Sequence, residues 1–407
     1  MGTIKKSFFF MRYVLAISAL SFTLLSANLC KSYGNDVPGV TDKSVKIGLM
    51  GDLTGPAADV WIPFANGIRA FFKMMNYGGG IHGRKIEYIL EDDRYSIPLA
   101  LSSFKKLVFK DKVFVLQAAS GVGHSAAIIP LVEKEKIPLI TPTGERKFFV
   151  PARKYVFSTI PWYEDQAKLA VEYVFNDMKL QSPVIALLYG DVGSGKDSRN
   201  TFRELVKIYP VKKYVEIAFP LAAMDFTSEM LAMRRSKPDI VYIHGHAAHA
   251  TSILKAARRL GLSSTFIVAQ YACVDKAVKI SGKNASGLLG INCFGTWDDA
   301  STGVNRLRKA SLAYNPNVSR RDANFFQGWF TGMLFYEGLQ NAGRDLTRET
   351  YLKGLEAIKN FDTEGICGIV SFSPDDHKSI EYHRFYKADI EKKRFVPISG
   401  WRKPKDY

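Results

Sequence analysis

Residues 55–86 read GPAADVWIPFANGIRAFFKMMNYGGGIHGRKI, and this run decides the fold of the chain. It follows a short apolar alternation at residues 45–49 that is typical of a β-strand. The run itself carries one apolar stripe with helical spacing, made of Phe64, Ile68, Phe71 and Met75. The glycine-rich segment 76–83 then supplies residues that accept positive φ where the chain reverses into the next strand. The sequence therefore predicts a strand, a helix that lies on a sheet, and a second strand.

The same rhythm continues along the chain after this first unit. Strands are predicted at 113–116, 137–140, 184–189, 214–219, 240–243 and 265–269, and helices at 124–136, 164–178, 194–209, 227–235 and 247–260. Strands that alternate with helices of this length form parallel sheets covered by helices on both faces. Two consecutive sets, separated near Pro161, predict an α/β protein with two lobes.

The 407 residues carry a formal net charge of +17 at pH 7. The cations are spread in pairs and triplets over many predicted helices, as at 258–259 and 392–394, and no run reaches the length of a nucleic-acid-binding arm. Zinc-finger and RNA-recognition signatures are also absent from the sequence. We therefore expect a basic exported protein with no nucleic-acid partner.

Residues 1–27 have the pattern of a secretory signal peptide. Cations precede an apolar run at 13–25, and Ala27 offers a small residue at the cleavage site. The run is short for a bilayer span, and no later stretch approaches a transmembrane length. Lipid anchoring at Cys30 is not expected, because residues 28–29 are not the small residues of a lipidation site. We expect a soluble protein outside the cytoplasm.

Three cysteines follow Cys30, namely Cys273, Cys293 and Cys367. Export permits disulfides, but a core of this size does not require one. Two alternatives stay open, a Cys273–Cys293 bridge or buried free thiols. The spacing matches no metal site, because the sequence contains no CxxC pair.

The segment Gly190–Lys196, GDVGSGK, follows a predicted strand and opens a helix, as a phosphate-binding loop does. Its backbone N–H groups would surround phosphates, with Lys196 beside them. However, Asp197 stands where a Ser or Thr must bind Mg²⁺, and no apolar strand that ends in a metal-holding Asp follows. A nucleotide-dependent or hydrolytic enzyme is therefore only an alternative, and we expect no cofactor.

A metal site is the alternative raised by His244, His246 and His249, which lie together at a strand end and helix start. The segment has no carboxylate or cysteine, and alternate residues of an extended chain point to opposite sides. For catalysis, no Gly-x-Ser-x-Gly elbow is present, and the carboxylates at 92–93 are interpreted as solvated turn residues and helix caps. We therefore expect no metal ion and no catalytic residue.

Ligands of open α/β sheets bind beyond the carboxyl ends of the strands. Candidate ligand-binding residues are therefore those in the turns that follow the predicted strands. They are Trp61, Ser120, Gly121, Thr141, Thr143, Glu145, Ser194, His246, Gln270 and Tyr271. Because these residues occur at the same end of consecutive strands, the sequence predicts one ligand cleft.

The run at 55–86 resembles the start of the branched-chain-amino-acid family of periplasmic solute-binding proteins. The resemblance rests on Gly55-Pro56, Asn66-Gly67, Asn76, Gly79-Gly80-Ile81 and Gly83-Arg84-Lys85-Ile86 taken together. The later segment 238–243 also falls in register, so the resemblance covers nearly all of the chain after the signal.

This resemblance implies the type I periplasmic binding protein fold, α/β with two Rossmann-like three-layer (αβα) lobes joined by a hinge. The chain would cross between the lobes three times, near 158–162, 287–294 and 361–368. The implied lobes are 43–160 plus 292–360, and 161–291 plus 361–407. The implied function is capture of a small molecule and its delivery to the permease subunits of an ABC importer in the inner membrane. A ligand-sensing receptor of the same fold is the alternative.

In amino-acid binders of the family, first-lobe hydroxyl and N–H groups hold the ligand carboxylate, and a second-lobe acid holds the ammonium. The positions that bind the carboxylate fall on Ser120, Thr143 and Glu145, and the ammonium-binding acid falls on Gln270. Glu145 and Gln270 therefore remove the charge pattern that selects α-amino acids. The resemblance then implies a small polar ligand other than a standard branched-chain amino acid: an amide, a hydroxylated or aromatic compound, or a cation near Glu145.

Overall fold

The run at 55–86 folds as a strand, helix and strand unit, as its sequence predicts. The computed structural model describes residues 37–118 and 120–405. Strand β1 (Ser44–Gly51) leads into helix α1 (Ala58–Tyr77), and strand β2 (Lys85–Asp92) follows. The two strands pair in parallel. The stripe on α1 is buried at three of its four positions, because Met75 at the end of the helix is half-buried.

The first sheet has five strands in the order β2-β1-β3-β4-β5. Its remaining strands are β3 (Val115–Ala118), β4 (Leu139–Thr141) and β5 (Val156–Ser158). The connecting helices are α2 (Ile97–Lys105), extended by a π-helical turn at Lys106–Lys110, and α3 (Val122–Glu135). All neighbouring strands are parallel, so their carboxyl ends share one edge of the sheet.

The second sheet has seven strands in the order β12-β11-β10-β9-β8-β6-β7. They are β6 (Val184–Gly190), β7 (Lys213–Phe219), β8 (Ile240–His244), β9 (Thr265–Val268), β10 (Leu289–Asn292), β11 (Arg384–Asp389) and β12 (Arg394–Pro397). The first five are parallel, whereas β11 and β12 close the sheet as an antiparallel hairpin. Strand β8 is buried at every residue, which is typical of a central parallel strand covered on both faces.

Helix α4 (Tyr163–Glu172) precedes β6, and the helices between the parallel strands of the second sheet are α5 (Gly193–Ile208), α6 (Thr227–Ser236), α7 (Ala247–Arg259) and α8 (Asp275–Ser281). The helix predicted at 164–178 is α-helical only to Glu172 and continues as a π-helical turn at Tyr173–Asp177. The predicted alternation is therefore present in both sheets.

Three further helices follow β10: α9 (Thr302–Tyr314), α10 (Ala323–Ala342) and α11 (Arg348–Glu356). Helices α9 and α10 pack on α1, and α11 packs on α10. We call the first sheet with α1–α3 and α9–α11 the first lobe, and the second sheet with α4–α8 the second lobe. The segment boundaries 43–160 plus 292–360, and 161–291 plus 361–407, remain a proposal.

Cys273, Cys293 and Cys367 are buried free thiols, so the alternative of a Cys273–Cys293 bridge is wrong. The predicted signal at 1–27 and Cys30 lie outside the described residues. Within the described ranges, none of the helices combines the length and the apolar character that a bilayer span requires.

Candidate functional site

A cavity of about 490 Å³ lies between the two lobes, at the carboxyl ends of their parallel strands. The first lobe lines it with Ala57, Val60, Trp61, Tyr95, Ile97, Pro98, Ser120, Gly121, Val122, Gly123, His124 and Pro142. The second lobe lines it with Tyr163, Gly190, Val192, Gly193, Ser194, Leu221, His244, Gly245, His246 and Tyr271. The volume is in the range of small-molecule sites, and a solute inside would contact both lobes.

Six of the ten residues predicted from the sequence line this cavity: Trp61, Ser120, Gly121, Ser194, His246 and Tyr271. The other four, Thr141, Thr143, Glu145 and Gln270, are buried but are not among the residues that line it. The structure thus gathers the residues that immediately follow the strands. Their assignment to ligand binding stays a prediction.

Helices of both lobes begin at the cavity, because each helix follows the carboxyl end of a strand. Ala57, Gly121, Val192 and His246 are the residues that precede the first turns of α1, α3, α5 and α7, and all four line the cavity. The first N–H groups of a helix have no partner within it and carry partial positive charge. The cavity therefore offers backbone hydrogen-bond donors on both sides.

The described residues that line the cavity include no Asp, Glu, Lys or Arg. Four large aromatic side chains contribute to the wall: Trp61, Tyr95, Tyr163 and Tyr271. Burial lowers the pKa of His244 to about 4, and burial together with the neighbouring His249 and His244 lowers the pKa of His246 to about 3. Both rings are therefore neutral at physiological pH, and the wall is apolar with a few uncharged polar groups.

Asp93 lies behind the first-lobe wall of the cavity and accepts hydrogen bonds from two residues of that wall. The Ser120 hydroxyl donates to Asp93 Oδ1 at 2.5 Å, and the Tyr95 N–H donates to the same oxygen at 2.9 Å. The Trp61 indole N–H donates to the Ser120 carbonyl at 3.3 Å. Asp93 is fully buried, so its interpretation as a solvated turn residue is wrong. Its carboxylate ties the turn after β2 to the turn after β3.

Glu145 lies at a contact between the lobes. One carboxylate oxygen forms an ion pair with Lys147. The other has no hydrogen-bond partner, and it lies 3.3 Å from the point where a Cβ on Gly193 would be. This first-lobe carboxylate therefore lies beside the N-terminus of α5.

Gln270 connects two elements of the second lobe. Its N–H donates to Gln166 Oε1 at 3.0 Å, and Gln166 Nε2 donates to Gln270 Oε1 at 3.4 Å. The Cys293 thiol also donates to Gln270 Oε1, at 3.4 Å. These contacts hold the end of β9 against α4.

The three clustered histidines have partners within the protein. His249 Nδ1 accepts from the His246 N–H at 3.1 Å, and its Nε2 lies 2.8 Å from the Leu221 carbonyl. His244 Nδ1 lies 2.8 Å from Ser198 Oγ. Across residues 37–118 and 120–405, no group of three or more His, Cys, Asp or Glu residues is placed to hold a metal ion.

The glycine-rich loop between β6 and α5 lines the cavity with Gly190, Val192, Gly193 and Ser194. Lys196 is not among the lining residues, and its ammonium group lies 3.0 Å from Asp191 Oδ1 at the half-exposed surface. The loop therefore presents backbone and a hydroxyl to the cavity.

Sequence reasoning missed three cavity residues with polar side chains: Tyr95, His124 and Tyr163. Tyr95 follows β2, so the strand-end rule applied to β2 would have found it. His124 and Tyr163 lie in the first turns of α3 and α4, so extending the rule to first helical turns would have included them. His244, the last residue of β8, also lines the cavity, as expected for the strand end that it shares with His246.

We expect Asp197→Asn to stabilise the protein at pH 8. Burial, and then the negative charges of Glu145 and Glu164, raise the pKa of Asp197 to about 7 from its ordinary 3.8, against an opposing contribution from Lys147. The folded state therefore binds this proton more tightly than the unfolded state, and stability is lost as pH rises from about 4 to 7. Thermal unfolding from pH 4 to 8 should show the advantage of the variant growing over this interval and levelling off above it.

Asp191→Asn is the matched control, because Asp191 is exposed and paired with Lys196. Its melting temperature should follow the wild type at each pH. An effect of Asp197→Asn that does not change with pH would contradict the assigned role of the carboxylate.

A cavity lined from two α/β lobes that meet at their carboxyl edges defines a two-lobed solute receptor. The chain belongs to the periplasmic binding protein family, whose model matches residues 44–394. The family resemblance and the fold class predicted from the sequence are thus confirmed. Because this family consists of solute-binding proteins, the chain is not an enzyme.

Among similar proteins, the Leu/Ile/Val-binding protein of Escherichia coli (strain K12) is 24% identical over 254 residues, which cover 61% of this chain and 67% of that protein. A branched chain amino acid ABC transporter structure from Thermus thermophilus with bound valine has a TM-score of 0.82 at 20% identity, covering 89% of this chain and 97% of that one. A fatty acid ABC transporter substrate-binding protein from Thermomonospora curvata has a TM-score of 0.82 at 18% identity, with 92% and 96% covered. At these identities the structural matches show the fold alone.

Proposed function

We propose that this chain is the periplasmic solute-binding protein of an ABC importer and that its two lobes close on a small uncharged organic molecule. We infer an uncharged ligand because the described residues that line the cavity include no Asp, Glu, Lys or Arg. The names of its relatives support the transport role, since the matched structures come from ABC transporters of branched-chain amino acids and fatty acids.

Closure follows from contacts that a solute makes with both lobes. The Tyr271 hydroxyl of the second lobe donates to the Pro142 carbonyl of the first at 3.3 Å, so the lobes already meet at the cavity. A solute between Trp61 and His246 would add contacts that exist only when the cleft is closed. Ligand binding then shifts the equilibrium toward the closed form, which the permease would receive.

An α-amino acid is a poor occupant of this cavity. Its ammonium would be buried at the positive ends of the helices that begin at the cavity, with no acidic side chain among the described lining residues, and an unpaired buried ion is costly unless an opposite charge compensates it. The position expected to hold the ammonium is Gln270, whose side chain contacts Gln166 and Cys293. The aromatic and aliphatic wall instead suits an apolar body with one or two uncharged polar groups.

A matched ligand series tests this proposal. The compounds share one phenylpropyl body and differ in charge: phenylalanine (zwitterion), hydrocinnamate (anion), phenylpropylamine (cation), hydrocinnamyl alcohol and hydrocinnamamide (both neutral). We expect the two neutral compounds to bind at least about 10-fold more tightly than phenylalanine, because they bury no ion. Isothermal calorimetry on the mature protein measures this directly.

Leucine, isoleucine and valine serve as the second arm of the same experiment. Tighter binding of phenylalanine or of any of these three than of the neutral compounds would refute the proposed ligand class.

The transport role has an independent test, since deleting the gene should abolish uptake of the bound solute by cells that retain the permease.

A further inference from the structure

The first turn of α3 contains a buried polar atom with no partner. His124 lines the cavity and is 3% exposed, and its Nε2 atom has no hydrogen-bond partner. Tyr95 packs its ring against the imidazole, with the two ring centres 4.8 Å apart. One side of the imidazole is therefore covered, and its Nε2 is left without a partner in a side chain that lines the cavity.

A neutral imidazole has one nitrogen that carries the proton and one that accepts. Burial lowers the pKa of His124 and so favours the neutral ring, although the charge of Asp93 and the Tyr95 backbone oppose this effect. With the ring proton on Nδ1, Nε2 is an acceptor that has a lone pair and no proton.

Ser120 adds a second acceptor close by in sequence. Ser120 lines the cavity, and its hydroxyl proton is used in the bond to Asp93 Oδ1 at 2.5 Å, so the oxygen has only lone pairs left to offer. The N–H groups of the first turn of α3 are the donors of the same wall. This part of the cavity therefore combines two side-chain acceptors with backbone donors and partial positive charge.

We propose that the neutral His124 ring carries its proton on Nδ1, and that its Nε2 and Ser120 Oγ accept the proton of a solute hydroxyl group, whose oxygen accepts in turn from the first turn of α3. This inference rests on the proposed function and narrows its ligand class from uncharged molecules to alcohols. A hydroxyl group both donates and accepts, which matches the wall. A carboxylate only accepts and would face two lone pairs, and an ammonium only donates and would face the positive end of the helix.

The test compares hydrocinnamyl alcohol with hydrocinnamyl methyl ether, which keeps the oxygen and loses only the donated proton. The mature wild-type protein should bind the alcohol about 10-fold or more tightly than the ether, because the ether leaves the buried acceptors unsatisfied. In His124→Leu the ratio of the two dissociation constants should fall to within about 3-fold. His124→Gln retains an acceptor oxygen and should recover part of the preference.

Ser120→Ala tests the second acceptor independently. If His124→Leu does not fold, the ratio of the two dissociation constants in Ser120→Ala tests the proposal. His246→Leu is the control for loss of a cavity histidine from the other lobe: the ratio of the two constants should stay at the wild-type value, whatever the change in each affinity. If neither neutral compound binds the wild type, the proposed function fails and this inference fails with it. If the alcohol binds but the ether binds equally well, or the preference survives both first-lobe variants, this inference alone is overturned.

Discussion

Gly328→Val is expected to lower the free energy of unfolding by about 3 kcal/mol or more. Helices α1 and α10 cross with their backbones in contact at this position. A Cβ on Gly328 would overlap the Phe64 carbonyl oxygen and lie 2.8 Å from its carbon, and a Cβ on Gly67 would lie 2.7 Å from the Trp329 nitrogen. Because the obstacles are backbone atoms, no rotamer change relieves the clash, and the helices must separate.

Urea unfolding of the mature protein, followed by tryptophan fluorescence, measures the effect, since buried Trp329 lies on α10. Gly78→Ala, at the end of α1, is the matched control. Its φ is −73°, and its added Cβ would approach no atom closer than 3.4 Å. The control should unfold within about 0.5 kcal/mol of the wild type. A Gly328→Val protein as stable as this control would show that the two helices are not packed as described.

Gly67 illustrates which features of the fold the sequence predicts and which it does not. Periodicity identified α1 and its buried face, and the motif around Asn66-Gly67 signalled the family. The partner of Gly67 could not be read from the pattern, because α10 lies far along the chain and local periodicity carries no information about which helices meet. The free thiols of Cys273 and Cys293 also depend on tertiary geometry, so the sequence left both alternatives open.

The candidate site was predictable to the extent that backbone topology determines it. Parallel strands put their carboxyl ends at one edge, so Ser120, His246 and Tyr271 were found by position alone. Glu145 and Gln270 occupy equivalent positions in the sequence, yet their contacts with Lys147 and Gln166 place them elsewhere. The direction of a side chain in a turn depends on such partners, which local sequence does not specify.

Gly193→Leu is expected to weaken solute binding by about 100-fold or more while both lobes stay folded. Gly193 begins α5 in the second lobe and faces α3 of the first lobe across the cleft. A Cβ there would lie 2.5 Å from Val122 Cγ1 and 3.3 Å from Glu145 Oε2. Within one lobe such overpacking would destabilise the core, but between lobes it can be relieved by opening the hinge. The cost therefore falls on the closed state.

The size of the effect follows from the population of the closed state. If the added side chain disfavours closure by about 3 kcal/mol, the fraction of molecules able to enclose a solute falls by about 100-fold, and the apparent dissociation constant rises by the same factor. Calorimetry with hydrocinnamyl alcohol measures the affinity, and small-angle scattering should show that saturating solute compacts the wild type but not the variant. Lys196→Leu places the same side chain on the solvent side of the same helical turn, where Lys196 is half-exposed, and should bind and compact like the wild type. Wild-type affinity in Gly193→Leu would mean that solute binding does not require the lobes to meet at α3 and α5.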